Sequence, residues 1–234
     1  MSAIIERHDF TDGGALAEAL AQRVADALEA RIGEFDRASI ALSGGRTPPA
    51  FLDALSRKVL PWDRVWITLV DERWVPESSD RSNAGLVRAH LLQNEAAAAH
   101  FVPLVNEAPT PEAGLEKAEA LLEPLPWPLA VCVLGMGGDG HTASFFPHAA
   151  GLDAALSPQP GARLAATSAD AAGEPRITLT LPVILDASLI ALHIEGIAKL
   201  RVLDTARAAG PVEDMPVRGV LRASLRPVEV FWSP

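Results

Sequence analysis

A chain of 234 residues with 49% hydrophobic and 21% charged side chains is long enough to bury a sizeable core, and that composition excludes an intrinsically disordered polymer. One compact domain over residues 1–234 is the expectation. A formal net charge of −10 argues against nucleic acid, whose phosphates an acidic surface repels unless a local basic face overrides the field, and no such face is legible.

The opening MSAIIERHDF lacks the basic start, apolar core and small-residue site of a secretion signal. No later stretch reaches membrane-spanning length without a charge or proline, so a cytoplasmic protein with no membrane partner is expected. Between Thr11 and Gly33, Leu16, Leu20, Val24, Leu28 and Ile32 recur every four positions and lay an apolar stripe along one helix face, with Thr11 or Asp12 as its cap and Gly33 as its end. The apolar run Ser39–Ser43 stops at Gly44 and Gly45 before a helical pattern over 47–59, which reads as strand, tight turn, helix. A second strand, Val65–Val70, delivers Asp71, Glu72, Arg73 and Trp74 into a polar loop. Helical segments over 83–93 and 111–123 precede Leu129–Gly135, whose β-branched content suits a buried strand. After a polar stretch over 157–174, RITLTLP alternates, with Ile177 and Leu179 facing inward and Arg176 at the strand's edge; Pro182 opens a short helix. Ser188–Gly196 is a further strand, 197–209 a helix, and PVEVFW an edge strand.

Strands separated by helices predict a three-layer α/β/α fold with a largely parallel, Rossmann-like central sheet, because crossover helices cover both faces. Ligands of such sheets gather where loops leave the carboxyl ends of strands, here Ser43, Asp71, Gly135 and Gly196.

The stretch Gly135-Met136-Gly137-Gly138-Asp139-Gly140 satisfies GxGxxG, yet it lies past the middle of the chain and lacks the acidic partner expected roughly 20 residues on. GxxxxGK followed by Ser or Thr occurs nowhere, so neither a dinucleotide nor a Walker loop is predicted. A glycine turn at a strand end still offers amide donors to an anion or oxyanion, and Asp139 and His141 add an acceptor and an imidazole able to exchange a proton near neutral pH. That set suits hydrolysis or sugar proton transfer. The structural alternative is a His141 that caps a following helix and packs on Phe145 or Phe146. The six histidines are scattered, with no HExxH, so no metal is expected; Ser43 and Ser144 lie outside any GxSxG elbow; and Cys132 reads as a small buried hydrophobe.

Four stretches in order across almost the whole chain, LSGGRTP (42–48), DERWVPESSDRSN (71–83), GMGGDGHTASFFP (135–147) and RITLTLPVI (176–184), resemble the 6-phosphogluconolactonase family, whose fold is similar to that of glucosamine-6-phosphate deaminases and isomerases. The resemblance implies hydrolysis of 6-phosphoglucono-δ-lactone to 6-phosphogluconate in the oxidative pentose phosphate pathway, on a small phosphosugar lactone, with no metal, no organic cofactor and no obligate protein partner. By the same resemblance Ser43, Gly44, Gly45, Arg46 and Thr47 sit near the substrate phosphate, Arg176 and Lys199 are further anion-binding positions, and His141 activates water. Asp139 is expected to orient His141 or the water, or else to satisfy local turn amides. Asp71 occupies the family's acidic strand-end position, Arg73 is assigned to substrate electrostatics, and Trp74 and Asn83 to support of their own loop. Several charge-assisted donors suit a phosphate on chemical grounds alone.

Two alternatives stand beside this reading. The deaminases resemble the chain in the glycine loop and in DGH, but their next motif resembles IAFNEP with a glutamate used in ring opening, and here TASFFP puts Phe146 at that place. A non-catalytic sugar-phosphate-binding protein would keep the anion site without a productive histidine.

Overall fold

The computed structural model describes residues 4–234, with the backbone alone at position 171. In chain order it contains β1 (Ile5–Asp9), α1 (Gly13–Phe35), β2 (Ala38–Leu42), α2 (Pro49–Ser56), β3 (Val65–Leu69), β4 (Asp71–Arg73), α3 (Asn83–His90), β5 (His100–Phe101), α4 (Pro111–Leu121), β6 (Val131–Leu134), α5 (Leu152–Leu156), β7 (Leu164–Thr167), β8 (Arg176–Leu179), α6 (Leu181–Leu185), β9 (Leu189–Glu195), α7 (Ile197–Arg207), α8 (Val217–Ala223) and β10 (Val228–Ser233).

The apolar stripe of α1 is buried throughout, from Leu16 to Ile32. Asp12 is the cap, accepting from the Ala15 amide at 2.9 Å, but the helix runs past Gly33 to Phe35 and stops where Asp36 takes a left-handed φ of 67°. Glycine is thus not needed there, because a short polar side chain tolerates that conformation. This helix lies along β2, β6 and β10 and packs on α2.

Seven strands form the main sheet in the order β1-β10-β9-β6-β2-β3-β5, every neighbouring pair parallel. Strands β2 and β6 are buried along their whole length, as their unbroken apolar runs require. Each buried Val, Leu or Ile side chain contributes about 1.5–3 kcal/mol by leaving water. From β2 the chain steps outward to β3 and β5, and from β6 it steps the other way to β9 and β10, so the strand order reverses between β2 and β6. A crevice opens at the carboxyl ends of strands at such a reversal. With its flanking helices the sheet makes the expected α/β fold.

Two expectations are corrected. PVEVFW is not an edge: β10 lies between β9 and β1, with Val228 in register with Ile5 on one side and Ile190 on the other. The half-exposed IERHD strand supplies the edge instead, a role its charges allow. The DER segment is not a loop but β4, which with β8 and β7 forms a second, antiparallel sheet in the order β4-β8-β7. Val70 joins the two sheets: its amide donates to Leu42 O at 2.9 Å in β2, and its carbonyl accepts from Leu179 at 2.8 Å in β8.

Candidate active site

The carboxyl ends of β2, β6 and β9 and the facing edge of the small sheet enclose a cavity of about 400 Å³. Every site residue predicted from the sequence lines it except Asp139, which stands behind His141.

The glycine loop after β6 shapes the histidine. His141 Nδ1 lies 2.6 Å from Asp139 Oδ1, and the same oxygen accepts the His141 backbone amide at 3.1 Å. Gly137 closes the turn by donating its amide to His141 O at 2.8 Å. A Cβ at Gly137 would fall 2.1 Å from His141 Nδ1 and 2.4 Å from Asp139 Oδ1, so only glycine lets the two side chains meet. Burial pushes the Asp139 carboxyl up, but the ring and backbone donors of His141 hold it down at about 2, so it is ionised at neutral pH. An ionised acceptor at Nδ1 keeps the ring proton there and leaves Nε2 as the basic nitrogen. The ring packs on Phe146, centroids 4.4 Å apart, and no helix follows for it to cap: residues 142–145 close in a short bridge.

Arginines face this histidine from the small sheet. The antiparallel register sets Arg73 of β4 directly opposite Arg176 of β8, a like-charge pairing that a sheet does not favour on its own. Arg176 is buried, donating Nη2 to Ala172 O at 2.9 Å and Nε to Glu174 O at 3.2 Å, with its guanidinium 5.3 Å from the centre of the Phe146 ring. Burial pushes its pKa below the ordinary value, Asp71 opposes that, and Arg73 adds to it. Asp71, also buried, lies 3.9 Å from Arg176 Nη1 and accepts from the Ser144 hydroxyl. Arg73 donates Nη1 to Arg81 O, while its buried Nε has no partner among the described residues.

On the opposite wall, Ser43 is committed to the scaffold: its hydroxyl donates to Val133 O at 2.7 Å and accepts from the Gly135 amide at 3.0 Å, tying the ends of β2 and β6 together. Gly45 takes a φ of 103° and lets the loop turn through Arg46 and Thr47 into α2. Lys199, on α7, donates to Met136 O at 2.6 Å. Burial pushes its pKa below the ordinary value, Asp139 counteracts this and Arg46 reinforces it, so the three charges share one neighbourhood.

Neighbouring residues divide by role. Glu72 is buried but lies outside the cavity, its carboxylate accepting the amides of Arg73, Asn83 and Ala84 and the Ser82 hydroxyl at 2.7–3.0 Å, which caps α3. Trp74 turns away, donating to Ala108 O and packing on Gly114 of α4. Sequence reasoning passed over three ionisable cavity residues: Arg81, paired in two hydrogen bonds with Glu174, and His193 with Glu195 at the end of β9. Arg81 stood inside a quoted motif, and His193 and Glu195 are two apart near a strand end, which puts both on one face. Among the described residues no group of three His, Cys, Asp or Glu side chains offers a metal its ligands.

The fold and this cavity define an α/β protein of the sugar-phosphate isomerase type, and a family model described as glucosamine-6-phosphate isomerases/6-phosphogluconolactonase matches residues 11–232. A 6-phosphogluconolactonase of Mesorhizobium japonicum is 56% identical over 96% of this chain and 94% of its own, and one of Rhizobium meliloti 48% identical over 97% and 98%. The crystal structure of a 6-phosphogluconolactonase from Shewanella baltica superposes with a TM-score of 0.95 at 43% identity, covering 98% of both chains. The chain belongs to the 6-phosphogluconolactonase family.

Proposed function

We propose that the chain hydrolyses 6-phospho-D-glucono-1,5-lactone to 6-phospho-D-gluconate in the oxidative pentose phosphate pathway, working in the cytoplasm as one domain. The observation that carries the reading is a single cavity in which His141, held 2.6 Å from Asp139 behind it, faces the register-matched arginines Arg73 and Arg176. The names of the relatives support the substrate.

In this reading His141 Nε2 takes a proton from water as its oxygen attacks the lactone carbonyl carbon. Asp139 steadies the imidazolium that forms, as an acidic partner does in other histidine-dependent hydrolases. Loop amides or a nearby cation stabilise the tetrahedral oxyanion. Collapse breaks the bond to the ring oxygen, which recovers the proton from His141, so water is added and nothing else is consumed. Arg46, Lys199 and the Ser43–Thr47 loop, with Arg73 and Arg176, supply the field for the anionic end; Asp71 holds sugar hydroxyls or orders Arg176. The proposed chemistry needs neither metal nor organic cofactor.

A deaminase requires a further carboxylate for ring opening. At the corresponding place Phe146 lies between His141 and Arg176, which favours the lactonase. Time-resolved carbon NMR of fresh lactone, corrected for spontaneous opening, tests the reading. The protein is expected to speed ring opening, with no ammonia from glucosamine 6-phosphate. A folded His141→Asn variant should lose turnover while keeping 6-phosphogluconate affinity, and unchanged turnover in it would remove the proposed base.

A further inference from the structure

Two carboxylates line the cavity, and only one of them is engaged by the scaffold on the arginine side: Asp71 is buried against Ser144 and Arg176. The other, Glu195, ends β9 with its side chain 37% exposed. Its Oε1 lies 3.2 Å from His193 Nε2, and its Oε2 accepts no hydrogen bond from any described residue. That second oxygen packs by the first residue of α1, where a Cβ on Gly13 would lie 3.3 Å away.

His193 is an unusual neighbour for such a group. It is 4% exposed, edge-on to Phe51 of α2 with ring centroids 6.1 Å apart, and its Nδ1 has no partner among the described residues. An imidazole is costly to bury, and burial pushes its pKa down while Glu195 pulls it up. Placed two residues before Glu195 on the same face of the strand, the ring fixes where the carboxylate stands.

A carboxylate repels phosphate and cannot donate to a carbonyl oxygen. With Asp71 already bound by Ser144 and Arg176, the ligand groups Glu195 accepts are O–H donors, and a phosphosugar offers those along its polyol edge. We propose that Glu195 is a binding residue for substrate hydroxyls and that His193 is its positioning residue. The inference rests on the proposed function for its substrate and deepens it by dividing the cavity into anion-holding walls and a polyol-reading wall.

The test compares Glu195→Ala, His193→Leu and His193→Gln with wild type, measuring KM and kcat on the lactone and, by calorimetry, affinity for 6-phosphogluconate and for inorganic phosphate. Glu195→Ala should weaken 6-phosphogluconate and raise KM about tenfold, with the smaller loss on kcat and inorganic phosphate bound as before or more tightly. His193→Leu should follow in the same direction. His193→Gln, whose amide nitrogen reaches the place of Nε2, should recover most of the affinity, which a packing role alone would not give. Affinity for 6-phosphogluconate within twofold of wild type in Glu195→Ala, or an equal loss for inorganic phosphate, overturns the assignment. A wild-type protein that binds 6-phosphogluconate without opening the lactone overturns the proposed function instead, and calorimetry on the variants still decides the role of Glu195.

Discussion

Gly44 and Asn83 touch so closely that a Cβ on Gly44 would lie 1.8 Å from Asn83 Oδ1. Asn83 in turn donates Nδ2 to Asp71 O at 2.8 Å, so the loop after β2 and the DER strand are registered through one buried amide side chain. Gly44→Ala must therefore displace Asn83 and loosen β4. Overpacking of this kind costs about 1–3 kcal/mol, and kcat/KM should fall with it. Gly44→Ala combined with Asn83→Ala should unfold at a higher denaturant concentration than the sum of the two single effects predicts, because the second change removes the clash. Strict additivity in urea titrations would count against this coupling.

Asp139 makes the low-pH behaviour of the site predictable. Its carboxyl titrates at about 2 in the folded chain against an ordinary 3.8, so its contribution to stability is complete above the ordinary value and is lost as pH falls through about 2. With 45% of the side chain exposed, solvent screening limits that contribution to about 1 kcal/mol or less. Asp139→Asn should flatten the stability profile between those two values. Because the neutral amide of the variant can also donate to the ring, it no longer fixes the His141 tautomer or steadies the imidazolium, and turnover should drop about 100-fold or more. A kcat within a few fold of wild type would separate Asp139 from the chemistry.

Glu72→Ala tests whether the conspicuous acid of the DER motif is structural. The substitution strands the buried amides of Asn83 and Ala84 and the part-buried amide of Arg73, and a loss of about 2–4 kcal/mol in chemical denaturation is expected. Glu72→Gln keeps one acceptor oxygen and should lose less. Activity should fall only as far as α3 and Asn83 move.

Arg218 is a buried cation held by carbonyls: its guanidinium donates to Pro211 O at 2.9 Å and to Thr205 O and Ala206 O at 3.3 Å, around the carboxyl end of α7. Arg218→Met should cost about 2–4 kcal/mol, and Arg218→Lys should not restore it, because an ammonium cannot fork to three carbonyls so spread. Since α7 carries Lys199, a rise in KM is the expected functional trace.

The parts of the fold legible in the sequence were those whose own side chains dictate them. Ser39–Ser43, Val65–Val70, Leu129–Gly135 and Ser188–Gly196 announce buried parallel strands by continuous apolar content, and the four-residue period announces α1. What stayed hidden is set by partners far along the chain. Ile5–Asp9 is a strand because β10 lies beside it, and the three charged residues of β4 pair only because β8 arrives from more than a hundred positions later. For the same reason the sequence placed Arg176 on a strand without revealing that Arg73 would be its direct neighbour. The candidate site was legible where a motif marked it; Arg81, His193 and Glu195 belong to it through tertiary placement, and His193 was hidden inside an apolar run.

Val70 carries a last consequence. One peptide segment serves both sheets, its N–H bonded to β2 and its C=O to β8, so the floor on which Asp71 and Arg176 stand is riveted directly to the strand that leads into the Gly44–Gly45 turn. A molecule entering meets a base that cannot yield without unzipping two ladders at once. Whatever give the pocket has must come from its outer rim, where the exposed Arg81–Glu174 clasp joins the chain after β4 to the chain before β8 and can part at little cost.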